Sequence, residues 1–321
     1  MKNENKDNRL FSIILLSYYS EERIKGVYEK VKVVMEKENI PFELIIMDDG
    51  SKDNSYQISL QLEKSDKRVR AYQLSRNYTS HYSKFAGFSV CNGACATSLS
   101  DDFQLPLDVL VKSYRLWEKG ERVIIPFRHK RYDSKIKSYF SNFYYNLMNR
   151  FSEVNFPKGG ADGFTIDREI IDILNNHIRP KNTSTTVEVL RLGFDPVFIP
   201  FERPKTNNKS RWTFNKRIKL ALDTFLSSSS FPIKLITILG FLSVILSFIF
   251  IIFIFIIKLS VKNSFLGLSV PGWASSFVLI SFFSGLILFS LGIIAEYIWR
   301  IHEEVKDRPG YIIKKKDHEY H

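Results

Sequence analysis

The sequence predicts an α/β domain with a mostly parallel sheet, followed by two membrane-spanning helices. Up to residue 126, short apolar runs of strand length alternate with segments of helical spacing, which is typical of successive βαβ units. Residues 235–257 and 273–295 then form two uncharged apolar stretches, each long enough to cross the roughly 30 Å hydrocarbon core of a bilayer. These two observations predict a catalytic or binding domain attached to a membrane hairpin.

The individual elements follow from their periodicity and length. Strands are expected at residues 11–16, 42–47, 69–74, in the run before Ser100, and at 123–126. Helices are expected at residues 22–38, near 81–91, and at 107–119. Such alternation indicates parallel strands with helices on both faces of the sheet.

Acidic residues follow three of the predicted strands. Glu21 follows the first, Asp48 and Asp49 the second, and Asp101 and Asp102 the fourth. Because open α/β sheets bind ligands at the carboxyl ends of their strands, these side chains are candidates for one site. Carboxylate and amide oxygens suit Mg²⁺ or Mn²⁺, which in turn can hold phosphates. An isolated Asp pair is equally compatible with an ordinary turn or helix cap.

The sequence has no Gly-rich phosphate-binding loop of either common type. A bound nucleotide would therefore be held by side chains and a metal ion. The two cysteines, Cys91 and Cys95, have no second cysteine pair and no neighbouring histidine, so we expect packing thiols and no zinc site.

The charge distribution indicates a membrane partner. The net charge is +12, and many basic residues flank the apolar stretches, which favours anionic lipid over nucleic acid. Seven Lys and Arg residues lie within 205–234 and six within 300–316, whereas the connecting loop has only Lys258 and Lys262. By the positive-inside rule, both termini and the catalytic domain should be cytosolic, on a multi-pass protein of the cytoplasmic membrane.

Two further segments combine aromatic or aliphatic faces with basic residues. They span residues 136–151 and 213–227. Either segment can be a helix that packs on the sheet or an amphipathic helix that lies on the membrane surface. The pattern leaves both alternatives open.

Five segments resemble a known family when they are taken in order. They are ILLSYYSEE at 14–22, DDGSKD at 48–53, SRN at 75–77, DDFQLP at 101–106 and EYIWRIHEEVKDRP at 296–309. The chain resembles family 2 glycosyltransferases with a Rossmann-like GT-A fold. It is similar, more narrowly, to the polyprenyl-phosphate glycosyltransferases, which include bactoprenol glucosyltransferases and dolichyl-phosphate mannosyltransferases.

The resemblance implies inverting transfer of a single sugar from a nucleotide-diphosphate sugar to a membrane polyprenyl phosphate. It also implies a homo-oligomer with four regions: a GT-A domain at 1–204, an amphipathic juxtamembrane segment at 205–232, a transmembrane hairpin at 233–296 and a cytosolic tail at 297–321. The implied nucleotide-sugar residues are Tyr19, Glu21, Asp48, Asp49, Arg203 and Arg211. The implied acceptor-phosphate residues are Arg128, Arg131, Ser134 and Lys137.

The resemblance gives the metal ion, Mg²⁺ or Mn²⁺, to Asp102 and Gln104, with Asp101 as a further candidate. It gives a catalytic role to Asp102, and to Asp162 as a base or orienting group, for which a turn-stabilising role is the alternative. Ser100 departs from the family pattern, because an Asp usually stands there as the first metal ligand. Two other functions stay open: a membrane glycosyltransferase that extends a saccharide chain, and a catalytically silent scaffold.

Overall fold

The computed structural model describes residues 9–130, 163–181, 184–202, 231–260, 272–306 and 308–314, with the single residues 146, 150 and 154. The chain divides into two compact units, Met1–Ser228 with Pro309–His321, and Ser229–Arg308. The last described residues thus return to the first unit after the two long helices of the second.

The first unit is built on one sheet with helices on both faces. Its strands are β1 (Phe11–Ser17), β2 (Phe42–Asp48), β3 (Val69–Gln73), β4 (Cys95–Ser100), β5 (Val123–Lys130), β6 (Thr165–Asp167) and β7 (Val197–Glu202). Its helices are α1 (Ile24–Lys37), α2 (Ser55–Ser65), α3 (Ser80–Val90), α4 (Leu107–Glu118), α5 (Arg168–His177) and α6 (Thr185–Arg191).

Within the described part of the chain the sheet has seven strands in the order β3-β2-β1-β4-β6-β5-β7. β1 pairs in parallel with both β2 and β4, β2 with β3, and β5 with β7. β6 is antiparallel to β4 and β5, so those two strands also run in the same direction. The expected mostly parallel, GT-A-like α/β architecture is therefore confirmed.

Alternating side chains of the central strands build two hydrophobic layers. Phe11, Ile13 and Leu15 of β1 pack with α1 and α4 on one face. Ile14 points to the other face and packs with α3 and α5. Because both faces of β1 and β2 are covered, these strands are apolar over most of their length, which is why they stood out in the sequence.

The second unit consists of α7 (Phe231–Ser260) and α8 (Gly272–Val305), which contact each other. Among the described residues, one helical stretch, Phe282–Val305, is long and apolar enough to cross a membrane. A shorter apolar stretch, Phe231–Ser243, lies in α7. The structure thus gives one candidate span, and the second span stays a prediction.

Several predicted residues lie outside the described part of the chain. They are Arg131, Ser134, Lys137, Asp162, Arg203 and Arg211. The segment 213–227 also lies outside it, as does 136–151 apart from residues 146 and 150.

Candidate active site

The loops that follow β1, β2 and β4 lie side by side at the carboxyl edge of the sheet. The register pairs Ser17 of β1 with Asp48 of β2, and Leu16 of β1 with Ser100 of β4. This arrangement brings together the acidic turns that the sequence placed after these strands. It is also the edge at which open α/β sheets bind their ligands.

Asp48 is fully buried and organises the turn after β2. Its carboxylate accepts hydrogen bonds from the Ser51 amide at 2.9 Å and the Ser51 hydroxyl at 2.5 Å. The side-chain amide nitrogen of Gln73, at the end of β3, donates to the same carboxylate at 2.9 Å. Burial of a carboxylate is tolerated here because hydrogen-bond donors surround it. Gln73 was not singled out from the sequence, where a polar residue closing a strand gives little signal.

Asp49 joins this turn to the start of α3. Its carboxylate accepts hydrogen bonds from the backbone amides of Tyr78 at 2.7 Å and Thr79 at 3.0 Å. Burial raises the pKa of the Asp49 carboxyl to about 6, although these two amides act in the opposite direction. The pKa of Asp49 is therefore well above that of an ordinary aspartate.

The loop after β1 is tied to the loop after β2 through backbone donors. The amide of Tyr19 donates to the hydroxyl of Ser51 at 2.9 Å, and the amide of Asn54 donates to Glu21 at 2.9 Å. Tyr19 has a φ of 49°, and its side chain is 44% exposed. The strained backbone holds an aromatic ring at the rim of the loop, where a planar ligand could stack on it.

The carboxylate of Asp101 interacts with two side chains of the loop after β1. Its carboxylate accepts a short hydrogen bond from the Ser20 hydroxyl and forms an ion pair with Arg23, with an N–O distance of 2.6 Å. Burial raises the pKa of Asp101, while Ser20 and Arg23 lower it. Neither Ser20 nor Arg23 was predicted as a site residue, because their pairing joins positions far apart in sequence. These contacts make Asp101 a link between the loops after β4 and β1.

Asp102 lies between the other two polar residues of its turn. The Ser100 hydroxyl donates to one carboxylate oxygen at 2.7 Å, and the Gln104 amide nitrogen donates to the other at 2.6 Å. Phe103, between Asp102 and Gln104, has a φ of 50°, so the backbone folds sharply at this point. The tight turn brings the side chains two residues before and after Asp102 together.

The chemistry of this turn fits a divalent cation that is shared with a ligand. Asp102 offers a carboxylate, Gln104 an amide oxygen after rotation of its amide group, and Ser100 a hydroxyl. Among the described residues, no group of three or more His, Cys, Asp and Glu side chains could hold an ion. Mg²⁺ is commonly bound by one or two carboxylates together with water and substrate phosphates, and this donor set meets that requirement.

Arg128 is the described member of the predicted acceptor-phosphate group. It lies near the end of β5, is half-buried, and pairs in register with Phe201 of β7. Since β5 runs in the same direction as β4, Arg128 lies toward the same edge of the sheet as the acidic turns.

Comparison with known proteins identifies the family. The model for "Glycosyl transferase family 2" matches residues 12–172. A Bacillus subtilis protein that carries the name glycosyltransferase CsbB is 30% identical over 307 residues, covering 95% of this chain and 92% of that protein. The Shigella flexneri protein named SfII prophage-derived bactoprenol glucosyl transferase is 28% identical over 307 residues, covering 95% and 97% of the two chains.

Among solved structures, glucosyl-3-phosphoglycerate synthase from Mycobacterium tuberculosis is similar with a TM-score of 0.48. The sequence identity is 15%, and the match covers 68% of this chain and 77% of that chain. The family model spans half of the chain, and the relatives match nearly all of it. The chain belongs to glycosyltransferase family 2.

Proposed function

We propose that the protein transfers a single sugar, with inversion, from a nucleotide-diphosphate sugar to a polyprenyl phosphate in the membrane. The observation that carries this proposal is the extent of similarity to bactoprenol glucosyl transferases. It covers 95% of this chain and 97% of the Shigella flexneri relative, well beyond the 12–172 region shared by the family as a whole. The similarity therefore includes the two long helices as well as the catalytic unit.

The donor would bind at the turns after β1, β2 and β4. Tyr19 presents an exposed ring suited to stack on a nucleotide base, and the turn containing Asp48 and Asp49 is held rigid by internal hydrogen bonds. Glu21 fixes the first loop by accepting from the amide of Asn54. A site whose loops are fixed in advance loses less conformational entropy when it binds its ligand.

Cleavage of the sugar–phosphate bond leaves a nucleoside diphosphate, whose developing negative charge must be stabilised. Asp102 and Gln104, with Ser100 beside them, would hold Mg²⁺ or Mn²⁺, and the bound cation would supply positive charge to the diphosphate. Asp101 is neutralised by Arg23, so it adds little repulsion against that diphosphate. We propose that Arg203 and Arg211 bind the diphosphate as well.

The acceptor requires positioning more than activation. A phosphate monoester has a second pKa of about 6, so it is largely a dianion at neutral pH and is already nucleophilic. Arg128, Arg131, Ser134 and Lys137 would hold this phosphate, because guanidinium groups match phosphate oxygens with paired hydrogen bonds. We assign Asp162 to orienting the acceptor.

A lipid acceptor fits the second unit. The outward side chains of α7 and α8 are large, apolar and more than half exposed, as in Ile238, Phe241, Leu246, Ile280, Phe282 and Leu288. Exposed apolar surface of this extent is typical of contact with lipid or with another protein. We propose that both helices cross the cytoplasmic membrane and that the catalytic unit and both termini are cytosolic.

The test is a transfer assay with the full chain in membranes. Radiolabelled nucleotide-diphosphate sugars would be supplied one at a time with polyprenyl phosphate, and we expect an organic-extractable product that releases one monosaccharide on mild acid treatment. Asp102→Asn should abolish the product, whereas Asp108→Asn, which removes an exposed carboxylate on α4, should retain it.

Other products would point to the alternatives. A polymeric saccharide would indicate chain extension. The departure at Ser100 favours a silent scaffold, and in that case no donor would give a product although the protein is folded and membrane-bound.

A further inference from the structure

The segment that follows α8 pairs with the catalytic unit through a single β-bridge. Leu74, just after the edge strand β3, forms an antiparallel bridge with Ile313. The amide of Ser75 donates to the carbonyl of Ile312 at 2.9 Å, and the amide of Lys314 donates to the carbonyl of Gln73 at 2.8 Å. We call residues Pro309–Lys314 the tail strand.

Packing of side chains supports this pairing. Tyr311 and Ile313 pack against the hydrophobic layer that contains Leu74 and Phe85, whereas Ile312 between them is 51% exposed. This alternation is that of a strand with one buried face. A Cβ atom on Gly310 would lie 2.8 Å from the carbonyl oxygen of Pro180, so the close approach of the tail strand requires glycine there.

The last residue of the tail strand, Lys314, begins a series of side-chain hydrogen bonds that leads to the turn after β2. The ammonium group of Lys314 donates to the side-chain oxygen of Gln73 at 2.9 Å. The amide nitrogen of Gln73 donates to the buried Asp48 carboxylate at 2.9 Å. Since an ammonium only donates and a carboxylate only accepts, this orientation is the one in which the Gln73 amide satisfies both partners.

The series of hydrogen bonds continues from Asp48 to Tyr19, at the rim of the site. The Ser51 hydroxyl donates to Asp48 and accepts from the amide of Tyr19. A change in the orientation of Gln73 would leave the buried Asp48 without one of its donors and would loosen the turn that positions Ser51 and Tyr19.

We propose that the tail strand is a positioning element of the donor site, in which Lys314 sets the affinity for the nucleoside diphosphate by fixing Gln73 and, through it, the turn after β2. The inference rests on the proposed function, because it takes this turn as part of the donor site. Lys314 is a positioning residue, since it acts through Gln73 and Asp48.

The test compares four variants of the full chain in lipid nanodiscs. Lys314→Met removes the donor, Lys314→Arg keeps a donor, and Gly310→Val blocks the close approach to Pro180. Lys306→Met is the matched control, because Lys306 pairs with Glu303 at the end of α8 and has no link to Gln73. Binding of UDP, GDP and other nucleoside diphosphates is measured by calorimetry, and the Michaelis constants of donor and acceptor are measured separately.

We expect Lys314→Met to weaken nucleoside diphosphate binding about three- to tenfold, which is the net effect of losing one ordinary intramolecular hydrogen bond. The donor KM should rise by the same factor, with kcat and the acceptor KM unchanged. Lys314→Arg should stay within about twofold of wild type, and so should Lys306→Met. Gly310→Val should weaken binding at least as much as Lys314→Met and speed amide hydrogen exchange at Ser75 and Lys314.

Two outcomes separate the inference from the function beneath it. If the wild-type protein binds nucleoside diphosphates and both Lys314→Met and Gly310→Val bind them equally well, the inference is overturned and the proposed function stands. If the wild-type protein binds no nucleoside diphosphate, the proposed function fails and the inference fails with it.

Discussion

The hydroxyl of Ser100 donates to Asp102 at 2.7 Å, at the position where the family resemblance implies an Asp as the first metal ligand. A second carboxylate at this position would repel Asp102 in the absence of a cation, whereas a serine hydroxyl binds to it. Both carboxylate oxygens of Asp102 thus have a hydrogen-bond donor without a metal ion, and a cation that bound here would compete with Ser100 and Gln104 for them. A cation at the proposed metal site would therefore depend on the ligand's phosphates more than on this turn.

Ser100→Asp should therefore strengthen binding of a divalent cation. The added carboxylate supplies charge and removes the competing hydrogen bond, so we expect roughly tenfold tighter Mn²⁺ binding in the presence of a nucleoside diphosphate. The measurement is the free Mn²⁺ signal in electron paramagnetic resonance, which does not depend on turnover. Ser65→Asp, an exposed position at the end of α2, is the control. Unchanged affinity in Ser100→Asp would mean that the cation does not bind at this turn.

Burial of Asp49 gives the folding stability a pH dependence whose sign follows from the raised pKa of its carboxyl. Burial raises its pKa from 3.8 to about 6, so the folded protein holds this proton more tightly than the unfolded chain. Its contribution to stability is fully present below pH 4 and is lost as the pH rises through about 6. The total change is about 2 to 3 kcal/mol.

The check is the difference in unfolding free energy between wild type and Asp49→Asn, measured from pH 4.5 to 7.5. Because the other titrating groups are common to both proteins, the difference should fall as the pH rises to about 6.5 and then level off. Asp108→Asn, which removes an exposed carboxylate on α4, is the control variant for loss of a negative charge. A difference that rises with pH would contradict the assignment to burial.

At the scale of elements, the turn after β2 depends on Gly50. Its φ is +70°, and a Cβ atom there would lie 2.6 Å from the backbone carbon of Arg76. The first property disfavours any other residue, and the second prevents even alanine without movement of the loop after β3. The turn that contains Asp48 and Asp49 therefore packs closely against the backbone of the loop after β3.

Gly50→Ala should destabilise the protein by about 2 to 4 kcal/mol, from unfavourable φ and steric clash together. Gly193→Ala is the matched control, because its φ is +76° and nothing lies within 4 Å of its added Cβ. We expect about 1 kcal/mol there, from φ alone. Chemical denaturation gives both values, and equal losses in the two variants would show that the contact with Arg76 is unimportant.

The sequence predicted the central elements because their physical cause is local. β1 and β2 are largely apolar and buried, and α1 and α4 have regular apolar spacing, so periodicity located these four elements to within two residues. β6 has only three residues, and β7 is an edge strand that contains Pro200, so neither has a strong pattern of its own. These strands exist because the sheet supplies their partners.

The sequence located part of the candidate site, but it did not reveal all of the residues that contact one another there. The acidic turns were found because they lie after predicted strands, at the edge where open α/β sheets bind ligands. Arg23 and Gln73 were missed because their partners, Asp101 and Asp48, lie 78 and 25 residues away in the sequence. Contacts of that range are set by the order of strands in the sheet, and spacing along the chain does not reveal them.

At the scale of the whole molecule, the chain leaves the catalytic unit, forms two long helices, and returns to the catalytic unit as the tail strand. The first and last described residues therefore belong to one unit. If α7 and α8 both cross the membrane, the segments before α7 and after α8 lie on the same face of the membrane. This agrees with the excess of Lys and Arg in these two segments over the loop between the helices.

This topology can be tested with single cysteines, since the native thiols give little background. Cys91 and Cys95 are buried, and burial raises the pKa of both, so they should react slowly with maleimides. In sealed right-side-out vesicles, we expect a membrane-impermeant maleimide to label Ser264→Cys, between the two helices, at once. Lys25→Cys, exposed on α1, should be labelled only after detergent is added. Labelling of Lys25→Cys before detergent would exclude a cytosolic catalytic unit, and protection of both sites would exclude an external loop between α7 and α8.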